Sequence, residues 1–121
     1  MAATAIAEQT VVGAYVREGD TQFTTLTETA GDPTNMNTVV MGTGRCLVLF
    51  HNSDGANPYW VTVDASDDPY GRSTNITEQD IAATGWAAYF FEARGWEQTL
   101  GGRNLLIDTE NAAVMIIAIP V

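Results

Sequence analysis

One histidine, one cysteine, three serines and fifteen carboxylates are the side chains of this 121-residue chain with the most obvious chemistry. His51 closes the apolar run Cys46-Leu47-Val48-Leu49-Phe50 and precedes a turn. As a general base it would need a nucleophile on one side and an orienting carboxylate on the other. Ser53, Ser66 and Ser73 all lie in turn-like segments without the strand-turn-helix pattern of a nucleophile elbow. Cys46 sits inside the apolar run, which suits an inert core thiol better than a nucleophile. Being the sole cysteine, it makes no internal disulfide, and one His with one Cys does not make an ordinary structural zinc site.

The carboxylates are the strongest enzyme argument. Asp64, Asp67 and Asp68 cluster near Asn75, and Glu92, Glu97, Asp108 and Glu110 follow. A pair of carboxylates can hydrolyse glycosides, and oxygen ligands at Asp64, Asp67 and Asp68 could hold calcium. The segment DASDDPYG lacks the ordered spacing of a calcium loop, so a solvated acidic turn is the simpler reading. Gly42-Thr43-Gly44-Arg45 lacks the Lys and Ser/Thr of a phosphate loop and more simply joins two strands. The expectation is a protein without catalytic residues, bound metal or cofactor. Trp60, Trp86, Trp96, Tyr59, Tyr70, Tyr89, Phe90 and Phe91 could line a carbohydrate platform, but in a small sandwich such rings more often fill a core or an interface.

Charge narrows the partners. The net charge is -10, and the five basic residues are all arginines scattered singly at 17, 45, 72, 94 and 103. No basic stripe is present to neutralise phosphates, so nucleic acid and anionic membrane surfaces are not expected partners. No apolar stretch reaches membrane-span length and the first residues carry no signal-peptide pattern, so the chain is expected to be soluble and made in a reducing cytosol.

The elements that must position these groups read as β nearly throughout. In Tyr59-Trp60-Val61-Thr62-Val63-Asp64-Ala65 the odd positions Val61, Val63 and Ala65 share one face. The Cys46–Phe50 run fits a strand buried on both faces, and the turn formers from Asn52 to Pro58 suggest that these two strands make a long-looped hairpin. Trp86–Phe91, Leu105–Ile107 and Ala112–Ile119 supply further strands, with turns at Asp67–Gly71, Gly101-Gly102 and Asp108–Asn111. Thr77–Thr84 could instead be one or two helical turns, capped by Thr77 and ended by Gly85. Thr10–Val16 could be a strand, and Gly19–Thr38 reads as a weak edge strand around Phe23 followed by loop. Turns every 8–12 residues in one domain of this size predict an all-β fold. The expected form is an antiparallel β-sandwich, jelly-roll-like, with at most one short helix, and Val61, Val63, Phe90 and Ile117 in one core.

The second half of the chain carries a resemblance. Gly44-Arg45 leads an apolar strand into Phe50-His51-Asn52, and Val61-Thr62-Val63 follows. Then come Pro69-Tyr70-Gly71-Arg72, Ile76, Ala83, Phe90, Gly95-Trp96, Gly101 and a closing strand from Ala113 to Ile119. This succession, over residues 38–121, resembles small all-β virion structural proteins of tailed bacteriophages, of the head decoration (cement) type. The resemblance implies a non-enzymatic protein on the outer surface of the phage head, bound to the major capsid protein and assembling as a homotrimer. A head–tail connector or tail protein is the alternative that the same resemblance would also suit. It brings no catalytic residues; Arg45, Asn52, Gly71 and Arg72 match its pattern and read as structural.

The first residues divide from this body. Residues 1–12 read as an N-terminal arm or a first strand, and 13–121 as the single sandwich domain. In the arm, Thr4, Ile6, Glu8 and Thr10 share one face of an extended segment, and Ile6 is its one large aliphatic beside Met1. Thr4, Ile6, Glu8 and Thr10 are the expected capsid contacts, made by adding the arm to the edge of a capsid sheet.

Overall fold

The computed structural model of the protein describes residues 3–11, 24–65, 75–98 and 102–121. Among them the chain forms β1 Thr4–Ala5, β2 Thr29–Ala30, β3 Asn37–Val40, β4 Arg45–Asn52 and β5 Tyr59–Val63. There follow β6 Ile76–Ile81, β7 Trp86–Glu92, a short helix α1 Ala93–Trp96, β8 Asn104–Thr109 and β9 Val114–Pro120. The strands pair in two sheets, β1-β3-β8-β5-β6 (sheet A) and β2-β9-β4-β7 (sheet B). All strand pairings are antiparallel except β1 beside β3. Leaving β1 aside, the eight strands wrap in the nested order of a jelly roll, four to each sheet. The expected all-β sandwich is what the chain forms.

Period two explains the core. Alternate side chains of a strand point to opposite faces. From sheet A, Val39, Val61, Val63, Leu105 and Ile107 point inward; from sheet B, Cys46, Val48, Phe50, Phe91, Ile116 and Ala118 meet them. Phe91 inside forces Phe90 outside, and Phe90 is 45% exposed. Phe90 is therefore not a core residue, contrary to expectation. Ile117 is buried, but it lies on the opposite face of β9 from Ile116 and Ala118. Val61 and Val63 are in the core as expected.

Two local readings are corrected. β4 and β5 do not form a hairpin: β4 pairs with β7 and β9, whereas β5 pairs with β6 and β8. The turn-forming loop carries the chain across to the other sheet instead of back along the same one. It is fastened by Asn52, whose buried Nδ2 donates to Asn57 O at 2.8 Å and to Ile81 O at 3.0 Å, while its Oδ1 accepts from Asp54 N at 3.0 Å. The helical alternative at Thr77–Thr84 is also replaced, by β6 and a turn. Ile76 and Ile81 are five residues apart and would fall on opposite faces of a regular strand. A bulge between Val61 and Val63, with Glu78 at φ 45°, shifts the register so that both pack on the core.

The Thr-rich region read mainly as loop contributes β2 and the start of β3. Thr10 and Val11 lie outside any strand; residues 12–16 and Phe23 of the other expected strands lie outside the described residues.

Candidate functional site

The arm is the first place to look, and it is bound to its own chain. Ile6 is 4% exposed within the core cluster, and its N–H donates to Thr38 O at 2.8 Å. The Thr4 hydroxyl donates to Asp32 Oδ2 at 2.7 Å. That bond, reinforced by the backbone N–H groups of Asn35 and Thr34, holds the Asp32 carboxyl down at about 2. Glu8 accepts from Gly42 N–H at 2.8 Å, and Gln9 N–H donates to Ala118 O at 2.8 Å. Thr10 alone of the four expected contacts is exposed. Of the two readings of residues 1–12, the described part from residue 3 onward is a first strand with its continuation.

The potentially reactive groups are each engaged by local partners. Burial, then the neighbouring Glu8, pushes the Cys46 thiol up to about 12, so it stays protonated and unreactive at neutral pH. His51 Nδ1 lies 2.9 Å from Glu28 Oε1, and its ring stacks on Trp86 at 4.1 Å with 4° between planes. The Ser53 hydroxyl donates to Ala113 O at 2.7 Å. Asp108 is raised by burial, and next by the charge of Asp64. Asp67 and Asp68, with which Asp64 would make the expected calcium site, lie outside the described residues, as do Ser66, Ser73, Gly71 and Arg72. Among the described residues, no group of three or more His, Cys, Asp or Glu is placed to hold a metal.

The two outer faces of the sandwich differ. On sheet A the outward positions include Thr38, Val40, Trp60, Thr62, Leu106 and Asp108, with Asp80 beside Trp60. On sheet B they read Trp86, Ala88, Phe90 and Glu92 on β7, Arg45, Leu47, Leu49 and His51 on β4, and Met115, Ile117 and Ile119 on β9. That face is mainly apolar, with Ile117 buried on it and the Arg45–Glu92 ion pair at one end, and two of its rings, Trp86 at 58% and Phe90 at 45%, are exposed.

The face ends at an open strand. β7 is the last strand of sheet B, and among the described residues nothing pairs with its outer edge. Asn52 N–H donates to Gly85 O at 3.0 Å and Ala93 N–H to Gly44 O at 2.9 Å, which fixes the phase of the β4–β7 ladder. Ala87, Tyr89 and Phe91 spend their backbone groups on β4; Trp86, Ala88, Phe90 and Glu92 point theirs outward. Beside this edge, between β7 and the sheet A edge strand β6, an apolar crevice of about 210 Å³ opens. Phe50, Val61, Ile76, Gln79, Ile81 and Tyr89 are among its lining.

Comparison with known protein families, curated proteins and solved structures finds no match to this chain. The Trp86–Phe91 segment shows in sequence as an aromatic strand, but nothing local marks it as an edge. Its position follows from pairing partners far along the chain.

Proposed function

We propose that this chain is a non-enzymatic structural protein of a tailed-phage virion, a decoration protein that binds the outer surface of the head through the major capsid protein and stabilises it, as trimers. The virion setting comes from the resemblance of residues 38–121. The supporting structural observation is the pair of exposed rings, Trp86 and Phe90, on the mainly apolar outer face of sheet B in a chain of net charge -10. An apolar patch rimmed by polar surface is characteristic of a protein contact, and aromatic rings are enriched in such contacts. Because Thr4, Ile6 and Glu8 are engaged within the fold, the proposed capsid contact moves from the arm to this face. A head–tail connector or tail protein would draw on the same surface.

The test is binding to undecorated heads. Trp86→Ala with Phe90→Ala should abolish most binding while leaving the chain folded. Undiminished binding by the double variant would contradict the proposal. A carbohydrate-binding module is the second reading, favoured by the exposed Trp86 and Phe90, roughly 13 Å apart along one strand. A glycan array decides it: a specific hit lost on Trp86→Ala would replace the capsid reading.

A further inference from the structure

The open edge strand β7 is close to palindromic about Ala88. In Trp86-Ala87-Ala88-Tyr89-Phe90 an aromatic ring lies two residues to either side of Ala88, on the outer face of sheet B. One residue to either side, on the other face, lie the small Ala87 and the large Tyr89. The strand keeps one unbroken register on β4 from Trp86 to Glu92, and no charge, proline or glycine interrupts it before Glu92. β6, the edge of sheet A, is bent by its bulge and carries exposed Glu78 and Asp80, devices that discourage a further strand from adding. β7 has neither, and an apolar edge with outward backbone groups is a template for strand pairing.

We infer that β7 is a self-association edge, pairing antiparallel with β7 of a second copy about a two-fold axis at Ala88 and joining two four-stranded sheets into one of eight. A two-fold contact needs a patch that complements itself, and the near-palindrome supplies one. Ala88 meets the partner's Ala88 and Trp86 meets the partner's Phe90, in hydrogen-bonded pairs, because these residues carry the outward backbone groups. Trp86, stacked on His51 on one side, gains a ring on the other. Beside the crevice, Ala87 meets the partner's Tyr89 in a non-hydrogen-bonded pair, the closer kind, so a small side chain makes room for a large one. Shifting the pairing one step sets Glu92 opposite the partner's Trp86; shifting it the other way sets Phe90 opposite the partner's Thr84, outside the strand. The pairing about Ala88 gives every ring a partner and leaves Glu92 with Arg45, 3.3 Å away. Glu78 and Asp80 lie with Thr62 and Trp60 on the outer face of sheet A and do not face this contact. Trp86, Tyr89 and Phe90 are each about half exposed, which leaves roughly 300 Å² of ring surface per copy. Doubled, that still falls short of the ~1,200 Å² of a stable interface, so the dimer is weak. With -10 on each copy, salt promotes it. The contact is two-fold, so it is additional to the proposed trimer and does not rest on the capsid reading.

The test uses the full-length protein. Ala88→Cys sets two thiols opposite each other across the axis, with Cα atoms ~5.5 Å apart and within reach of a disulfide. Mild oxidation with diamide should cross-link this variant to a dimer, in higher yield as salt is raised. Val40→Cys, exposed on the outer face of sheet A, is the control and should cross-link far less; Cys46 is buried in both. Ala88→Lys puts like charges on the axis and should weaken association by roughly tenfold or more in sedimentation equilibrium. In the parent protein, hydrogen exchange read by NMR should slow at the Trp86, Ala88 and Phe90 amides as concentration and salt rise, a measurement that decides the matter without any variant. Equal cross-linking of the two cysteine variants, or exchange at the three amides that does not change with concentration, would overturn the inference. So would protection of those amides only in a trimer, which would assign the edge to a three-fold contact. Binding to heads is scored separately: a dimer without head binding leaves the edge contact standing and removes the capsid reading.

Discussion

Phe90 and Phe91 are adjacent and chemically identical, yet the sheet assigns them opposite duties. Phe91 is fully buried, its ring edge-on to Trp96 at 5.0 Å. Truncating it should cost about 3–5 kcal/mol, whereas Phe90→Ala should stay within about 1 kcal/mol of the parent. Urea unfolding of the two variants checks this, and similar losses would contradict the assigned faces. Asp32 provides a pH signature. Its folded-state value of about 2 lies below the usual 3.8, so its contribution is fully present above the unfolded value and is lost as the pH falls through the folded one. The stability difference between the parent and Asp32→Asn should therefore be flat at neutral pH and shrink as the pH falls from 3.8 towards about 2. A difference that held constant through that window in acid-unfolding curves would rule the linkage out.

At the scale of elements, the arm behaves as part of the sandwich. Ile6 fills a place in the core that no other arm residue can fill, since its neighbours Ala5 and Ala7 are small and exposed. Ile6→Ala should cost about 2–4 kcal/mol, and deleting residues 2–9 should lower the melting temperature clearly. An unchanged Tm would show that the arm is dispensable to the fold. Gly31, next to β2, is another point of close approach. A Cβ there would lie 2.5 Å from Thr109 Oγ1 and 3.0 Å from Val114 O, one of them a backbone atom of the partner strand. Gly31→Ala should therefore destabilise by about 1–3 kcal/mol through overpacking, measurable in the same melts.

For the whole molecule, charge governs assembly. Three copies at -10 each carry 3 × (-10) = -30 formal charges, so free subunits repel. Salt should screen that repulsion and favour the proposed trimer. Sedimentation velocity across a salt series checks it; a trimer that dissociates as salt rises would contradict the prediction.

The alternation of Tyr59–Val63 and the apolar run from Cys46 to Phe50 were enough to specify strands and an all-β fold, because period two is a local property of the chain. The burial of Cys46 was legible for the same reason. What the loop at Asn52–Pro58 could not encode was its destination. A turn-rich segment reads the same whether it returns beside its strand or crosses to the opposite sheet, and only the pairing of β4 with β7 and β9 decides it. The face on which each side chain of Trp86–Phe91 lies hangs on one register, set by those same distant partners. Ile76 and Ile81 needed a bulge to share a face, and a bulge leaves no periodic trace. Whether Ile6 is a free anchor or a core residue is likewise tertiary. A single aliphatic among small residues has too little to bury by itself, and it becomes core only when β3 and β9 lie close enough to receive it.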